Sequence, residues 1–169
     1  DDIKPLIDII YLKNKIKLNE LYKNKPEYKD IVGSDGKERR LTSSVFEQLD
    51  IFSNEQKDKS DIRIYGLIKN KRLYKWINSK YIEKHPNLNN YKVLVPKANG
   101  SGALGERLSS PEVCKPMVGF TFSFISFGSF ETKNEATAVL KYIKTKFART
   151  LLAVLKITQD NLPRTWSKV

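Results

Sequence analysis

The chain has 169 residues, 40% of them hydrophobic and 30% charged, a length and composition that can bury a real core and that exclude disorder throughout. Lys and Arg number 31 against 19 Asp and Glu, and the resulting charge of +12 favours a polyanionic partner, because clustered cations displace the counterions condensed on phosphates. Cys114 is the only cysteine, which excludes an internal disulfide and a cysteine-built zinc site; with no stretch near the roughly 18 apolar residues of a membrane span and no signal peptide at the start, a reducing, cytoplasmic location away from membranes is expected.

In chain order, Ile3, Leu6, Ile7, Ile10 and Tyr11 recur at helical spacing, and residues 42–49 form a short helix behind a Thr or Ser cap. A Lys-rich connector through VGSDGKERR joins them. The polar run SNEQKDKS at 53–60 is the best internal boundary and divides a mostly helical lead-in, 1–60, from a domain spanning 61–169. Beyond it the period changes to two. Ile62, Ile64 and Gly66 alternate with Arg63, Tyr65 and Leu67; residues 91–95 form a β-branched run ending at Pro96; Phe120, Phe122 and Phe124 alternate with Thr121, Ser123 and Ile125. All three read as strands, the last with its aromatic face toward a core.

A long helix is predicted from near Thr132 to about Ile157, with Pro163 barring extension and 164–169 returning as a last strand. Ala136, Leu140, Ile143, Phe147, Leu151 and Val154 recur so as to face a core, while Lys141, Lys144, Thr145 and Arg149 fall on other faces. Between 133 and 149 stand five cations and one acid. The expected fold class is α+β: a mixed, mainly antiparallel sheet packed by one long C-terminal helix.

Three motifs stand in order: YKVLVPKANGSGALGE at 91–106, SFISFGSFETKNEA at 123–136, and YIKTKFAR at 142–149 followed by K-x-TQ and R-x-W. Together they resemble the TaqI-like C-terminal specificity region, the target-recognition domain, of adenine-specific DNA methyltransferases from restriction-modification systems, type IIG-like enzymes included. The resemblance covers 62–169 well and 1–61 only loosely. It implies double-stranded DNA as partner, together with a methyltransferase domain of the same polypeptide lying N-terminal to this segment. The parent would use S-adenosylmethionine to methylate N6 of adenine, with Mg²⁺ as well if it carries a fused nuclease. A start at Asp1 rather than Met and an end straight after RTWSK fit a piece of such a polypeptide.

On this reading Lys133, Lys141, Lys144, Lys146 and Arg149 engage phosphates, which position a protein without carrying sequence information. Asn70, Lys71 and Arg72 sit at a strand end and turn. From there Asn70 and Arg72, with Lys97, Asn99 and Ser101 of the glycine loop, offer base contacts, since Arg pairs with guanine and Asn with adenine. Gln159 and Arg164 are secondary candidates. The bland alternatives are a solvated hairpin tip and a plain surface loop.

GSGALG at 100–105 matches G-x-G-x-x-G, yet a dinucleotide or S-adenosylmethionine loop needs a helix starting inside the motif, and Pro111 and Pro116 break the one that would follow. The flipped-base loop of amino methyltransferases, Asn- or Asp-Pro-Pro-aromatic, has no match among the seven prolines. The segment by itself is therefore expected to be inert. Two alternatives come from other classes: a Mg²⁺-dependent nuclease fragment using Asp8, Glu27 and Lys29, and a nonspecific nucleic-acid- or protein-binding module. His85 lacks an evident partner and is expected at the surface. The rings at 120–130 and Phe147 are assigned to core packing rather than to stacking on bases.

Overall fold

The computed structural model describes residues 10–11, 16–32, 41–42, 44–85, 87–98, 107–156, 160–166 and 168–169, with only the backbone of Ile10, Tyr11 and Arg164. The fold is α+β. Its described elements run β1 (Ile10–Tyr11), α1 (Leu18–Asn24), α2 (Lys29–Val32), α3 (Val45–Gln48), β2 (Asp61–Ile68), β3 (Lys71–Asn78), β4 (Tyr91–Pro96), β5 (Glu112–Cys114), β6 (Val118–Phe120), β7 (Phe124–Phe130), α4 (Lys133–Ile143), α5 (Lys146–Leu155) and α6 (Pro163–Trp166). Short 3-10 turns at Pro26–Tyr28 and Ser79–Tyr81 complete them.

The strands form two sheets rather than one, in the orders β3-β2-β6 and β1-β7-β4-β5. Each belongs to its own compact unit. One unit, Lys13–Leu88 with Met117–Ser123, holds the β2–β3 hairpin; the other, Asp1–Leu12 with Asn89–Pro116 and Phe124–Val169, holds α4 to α6. This division differs from the boundary expected at 60/61, because the polar run 53–60 leads into β2 inside the hairpin unit.

In the hairpin unit, β2 pairs antiparallel with β3 along its full length and parallel with β6. The reversal is a two-residue turn, Lys69 and Asn70, both left-handed at φ 48° and 62°, as a hairpin twisted like its strands requires. Period-two alternation sends Ile62, Ile64 and Ile77 into a core with Leu21, Val45, Phe46 and Leu49. Gly66 lies on the same buried face because any Cβ there would meet the Phe46 ring and the Thr121 methyl carbon, 2.9 Å away.

The expected aromatic strand through Phe120, Phe122 and Phe124 is interrupted. The Thr121 amide makes the last bond of the β2–β6 ladder, to the Tyr65 carbonyl at 2.8 Å, and the Phe122 amide donates instead to the Leu41 carbonyl at 2.7 Å, so that β6 ends at Phe120 before β7 begins at Phe124. Phe120, Phe124 and Phe127 are buried, whereas Phe122, expected on the same core face, is half-buried. His85 is half-buried rather than at the surface: Nδ1 bonds Asn87 Oδ1, and the ring stands edge-on to Phe120 at 5.7 Å.

In the other unit, Val93, Val95, Ile125, Phe127, Ala136, Ile143, Leu152 and Trp166 form the core. Ile10 and Tyr11 pair with Phe127 and Ser126 as an edge strand instead of continuing a helix. Residues 163–166 are helix α6 instead of a strand, and this places Trp166 in the core, edge-on to Phe127 at 4.9 Å, an aromatic geometry that adds to area burial.

Lys92 of β4 is fully buried beside Cys114, its ammonium donating to the carbonyls of Asn90 and Lys115 at 3.1 and 3.3 Å. Burial pushes its pKa down from 10.5 to about 8.

Two outcomes are expected. Gly66→Ala lowers stability by about 1–3 kcal/mol, read in denaturant melts, because the added Cβ would crowd the Phe46 ring and the Thr121 methyl carbon and force one of them to shift. For Lys92, below pH 8 the folded and unfolded chains are both protonated; between about 8 and 10.5 the unfolded chain binds the extra proton, so stability rises with pH. Relative to Lys92→Met, unfolding free energy measured over that window climbs by at most about 3 kcal/mol. Parallel profiles would refute the depressed pKa.

Candidate nucleic-acid interface

The segment expected as one helix is two. α4 starts on a capping box: the Thr132 hydroxyl accepts from the Glu135 amide at 3.3 Å, and the Glu135 carboxylate accepts from the Thr132 amide at 2.9 Å. The Thr132 amide, and the Thr132 hydroxyl at 2.8 Å, both donate to the carboxylate and hold the Glu135 pKa below the ordinary carboxylate value. α4 ends at Ile143, and Thr145 serves both helices, its hydroxyl donating to the Tyr142 carbonyl at 2.8 Å and accepting from the Ala148 amide at 3.2 Å.

This break resets the helical phase. Ala136 and Ile143 are buried as expected, and Leu140 is partly so, but α5 buries Ala148 and Leu152 and turns the expected core residues Phe147 and Val154 outward, 65% and 72% exposed. Phe147 and Val154 are corrections to the sequence reading. Leu151 lies between them, half-buried, so α5 shows solvent an apolar stripe at i, i+4 and i+7.

The break also gathers cations. A cavity of about 380 Å³ is lined by Arg107, Leu108, Lys144 and Arg149, and none of these described lining residues is acidic. Lys144 lies in the turn between the helices, and the Arg149 Nε donates back to the Thr145 carbonyl at 3.4 Å, which orients its guanidinium. Lys146 opens α5, whose first turn holds no acid. Carboxylates are the usual complement to the roughly half positive charge of a helix start; this helix start carries a lysine instead.

The remaining candidates are distributed as follows. Lys133 and Lys141 are exposed on α4. Lys97 is ion-paired with Asp160 at 3.4 Å, in a clasp where the Asn161 amide and side chain donate to the carbonyls of Lys97 and Pro96 at 2.6 and 2.7 Å. Asn70, Lys71 and Arg72 are exposed at the hairpin turn, in the other unit. Asn99, Ser101 and Gln159, with the glycine loop, lie outside the described residues; Arg164 is in α6, its side chain outside them. Arg107, which the sequence places at the flank of the glycine loop, lines the cavity beside Lys144 and Arg149, which lie far along the chain.

For the nuclease alternative, Glu27 sits on a 3-10 turn rather than a strand, 4.0 Å from Lys25, Lys29 opens α2, and Asp8 lies outside the described residues. Among the described residues no group of three or more His, Cys, Asp or Glu could hold a metal ion, and no helix is long and apolar enough to cross a membrane.

Thr145→Ala removes a cap and is expected to lower stability by about 1 kcal/mol, with helix content at 222 nm falling as the first turn of α5 frays. A melt identical to the parent's would mean that the hydroxyl does not hold the break.

No family model, curated protein or solved structure matches the chain.

Proposed function

We propose that the chain is a sequence-specific double-stranded DNA recognition domain of a restriction-modification N6-adenine methyltransferase, not catalytic alone. The observation that carries the DNA-binding part is the cavity at the α4–α5 turn. Arg107, Lys144 and Arg149 line it together, beside a helix start that carries a lysine. Like charges brought together raise the local potential, and an anion relieves that cost. A water occupies about 30 Å³ of liquid, so the space accommodates a phosphate with part of its hydration. Exposed Lys133, Lys141 and Lys146 extend the positive surface along α4 and α5.

The specificity part rests on the hairpin turn, where Asn70 and Arg72 have the chemistry to read base edges, and on the resemblance of the three motifs. The resemblance also supplies S-adenosylmethionine and the catalytic domain as the parent's cofactor and partner. The outward stripe of Phe147, Leu151 and Val154 suits a protein neighbour of that kind.

Counterion release provides the test. If about six phosphates are neutralised, the slope of log affinity for a duplex against log salt is near −5, and Lys144→Ala with Arg149→Ala flattens it by about 2. An unchanged slope removes the cavity from the interface. A randomised duplex pool passed over the protein should return an enriched sequence; binding without enrichment would reduce the domain to the nonspecific module.

A further inference from the structure

The β2–β3 hairpin has one face in the core and one outside it, and the outer face is unusual in composition. In a half-solvated antiparallel sheet, apolar residues point inward and polar ones outward. Here the inner face carries Ile62, Ile64, Gly66 and Ile77. The outer face pairs Arg63 with Trp76, Tyr65 with Tyr74, and Leu67 with Arg72, each directly across the strands. Period two places all six on one side.

These side chains stack. The Tyr65 and Tyr74 ring centroids are 4.8 Å apart, and the Arg63 guanidinium lies 5.1 Å from the Tyr74 ring and 5.6 Å from the Trp76 ring. Tyr65 is buried and backs the row, whereas Tyr74 is 42% exposed and Arg72 is exposed beyond it. Cross-strand packing alone would not require a half-exposed phenol beside two arginines. The electrostatics select the partner. Lys69 and Lys71 add charge at the turn, and the acid at the far end of the same row, Asp61, is occupied in accepting from the Lys57 and Asp58 amides at 2.9 Å.

We propose that this face is a stacking site for unpaired nucleobases: a single strand lies with its phosphates on Arg72 and on Lys69 at the turn, and a base against Tyr74 and the Arg63 guanidinium. Aromatic rings and guanidinium planes are the two surfaces on which proteins stack splayed-out bases, and flanking cations track the backbone between them. The site uses hairpin residues alone; it shares Arg72 with the duplex reading but does not rest on that reading's cavity, which lies in the other unit.

The test compares two labelled strands of equal charge by fluorescence anisotropy on the intact chain, an oligothymidylate of about 12 nucleotides and an abasic strand of the same length. The base-bearing strand is expected to bind about 10-fold more tightly, as one stacked base provides. Tyr74→Ala and Tyr74→Leu should each remove that advantage while leaving the abasic strand unaffected, and Tyr74→Phe should keep it; the exposed position and the apolar Leu variant guard against a folding artefact, checked by melting. Equal affinity for the two strands, or an advantage that survives both Tyr74→Ala and Tyr74→Leu, overturns the proposal. A duplex salt slope that still depends on Lys144 and Arg149 in that event leaves the duplex reading standing, and the converse pattern leaves only the stacking site.

Discussion

A single hydroxyl is bonded on two sides at the turn between the C-terminal helices. Thr145 ties the last turn of α4 through the Tyr142 carbonyl and caps the first turn of α5 through the Ala148 amide. Lys144 and Arg149, five positions apart, would stand about 140° apart around an unbroken helix. The break lets both line one cavity with Arg107, and it also decides which apolar side chains of α5 are buried. The charge constellation and the exposed stripe of Phe147 and Val154 are two results of one local interruption.

The two units suit different chemistry. The α4–α5 cavity offers charge without aromatic rings among its described lining residues, which fits the electrostatic, sequence-independent part of nucleic-acid affinity. The hairpin offers rings and guanidinium groups in a row, which fits flat ligands. Each rests on a rigid support: a capped helix pair in one unit, and in the other a full-length antiparallel hairpin whose opposite face is packed against Phe46 and its neighbours. Rigid elements hold a binding geometry more closely than free loops do.

Buried polar groups tie the ends of the helix-pair unit together. Asn161, fully buried, links the segment after α5 to the end of β4, and the Lys97–Asp160 pair closes the same clasp. Lys97, read from sequence as a base contact, thus has an intramolecular partner. Lys92 is a buried cation whose ammonium is held by carbonyls, so its burial cost is offset only in part and its pKa falls.

What the amino-acid order determined is what depends on local periodicity: β2 and β4, the start of α4 at Thr132, the short helix α3 within 42–49, the α+β class, and the burial of Phe120 and Phe124. Alternation and capping act over a few residues and are visible in any short window. The tertiary structure alone decided the rest. A helical repeat running from Ala136 to Val154 looks unbroken because Phe147 and Val154 fit its spacing, and only competition for the Thr145 hydroxyl and the burial of Ala148 and Leu152 resolve it into two helices. The split into two sheets depends on β6 leaving for β2 while β7 pairs with β4, pairings between segments distant in sequence. Arg107 at the cavity and Arg63 between Tyr74 and Trp76 likewise arise from contacts across loops or strands, where neighbourhood is set by folding and not by spacing along the chain.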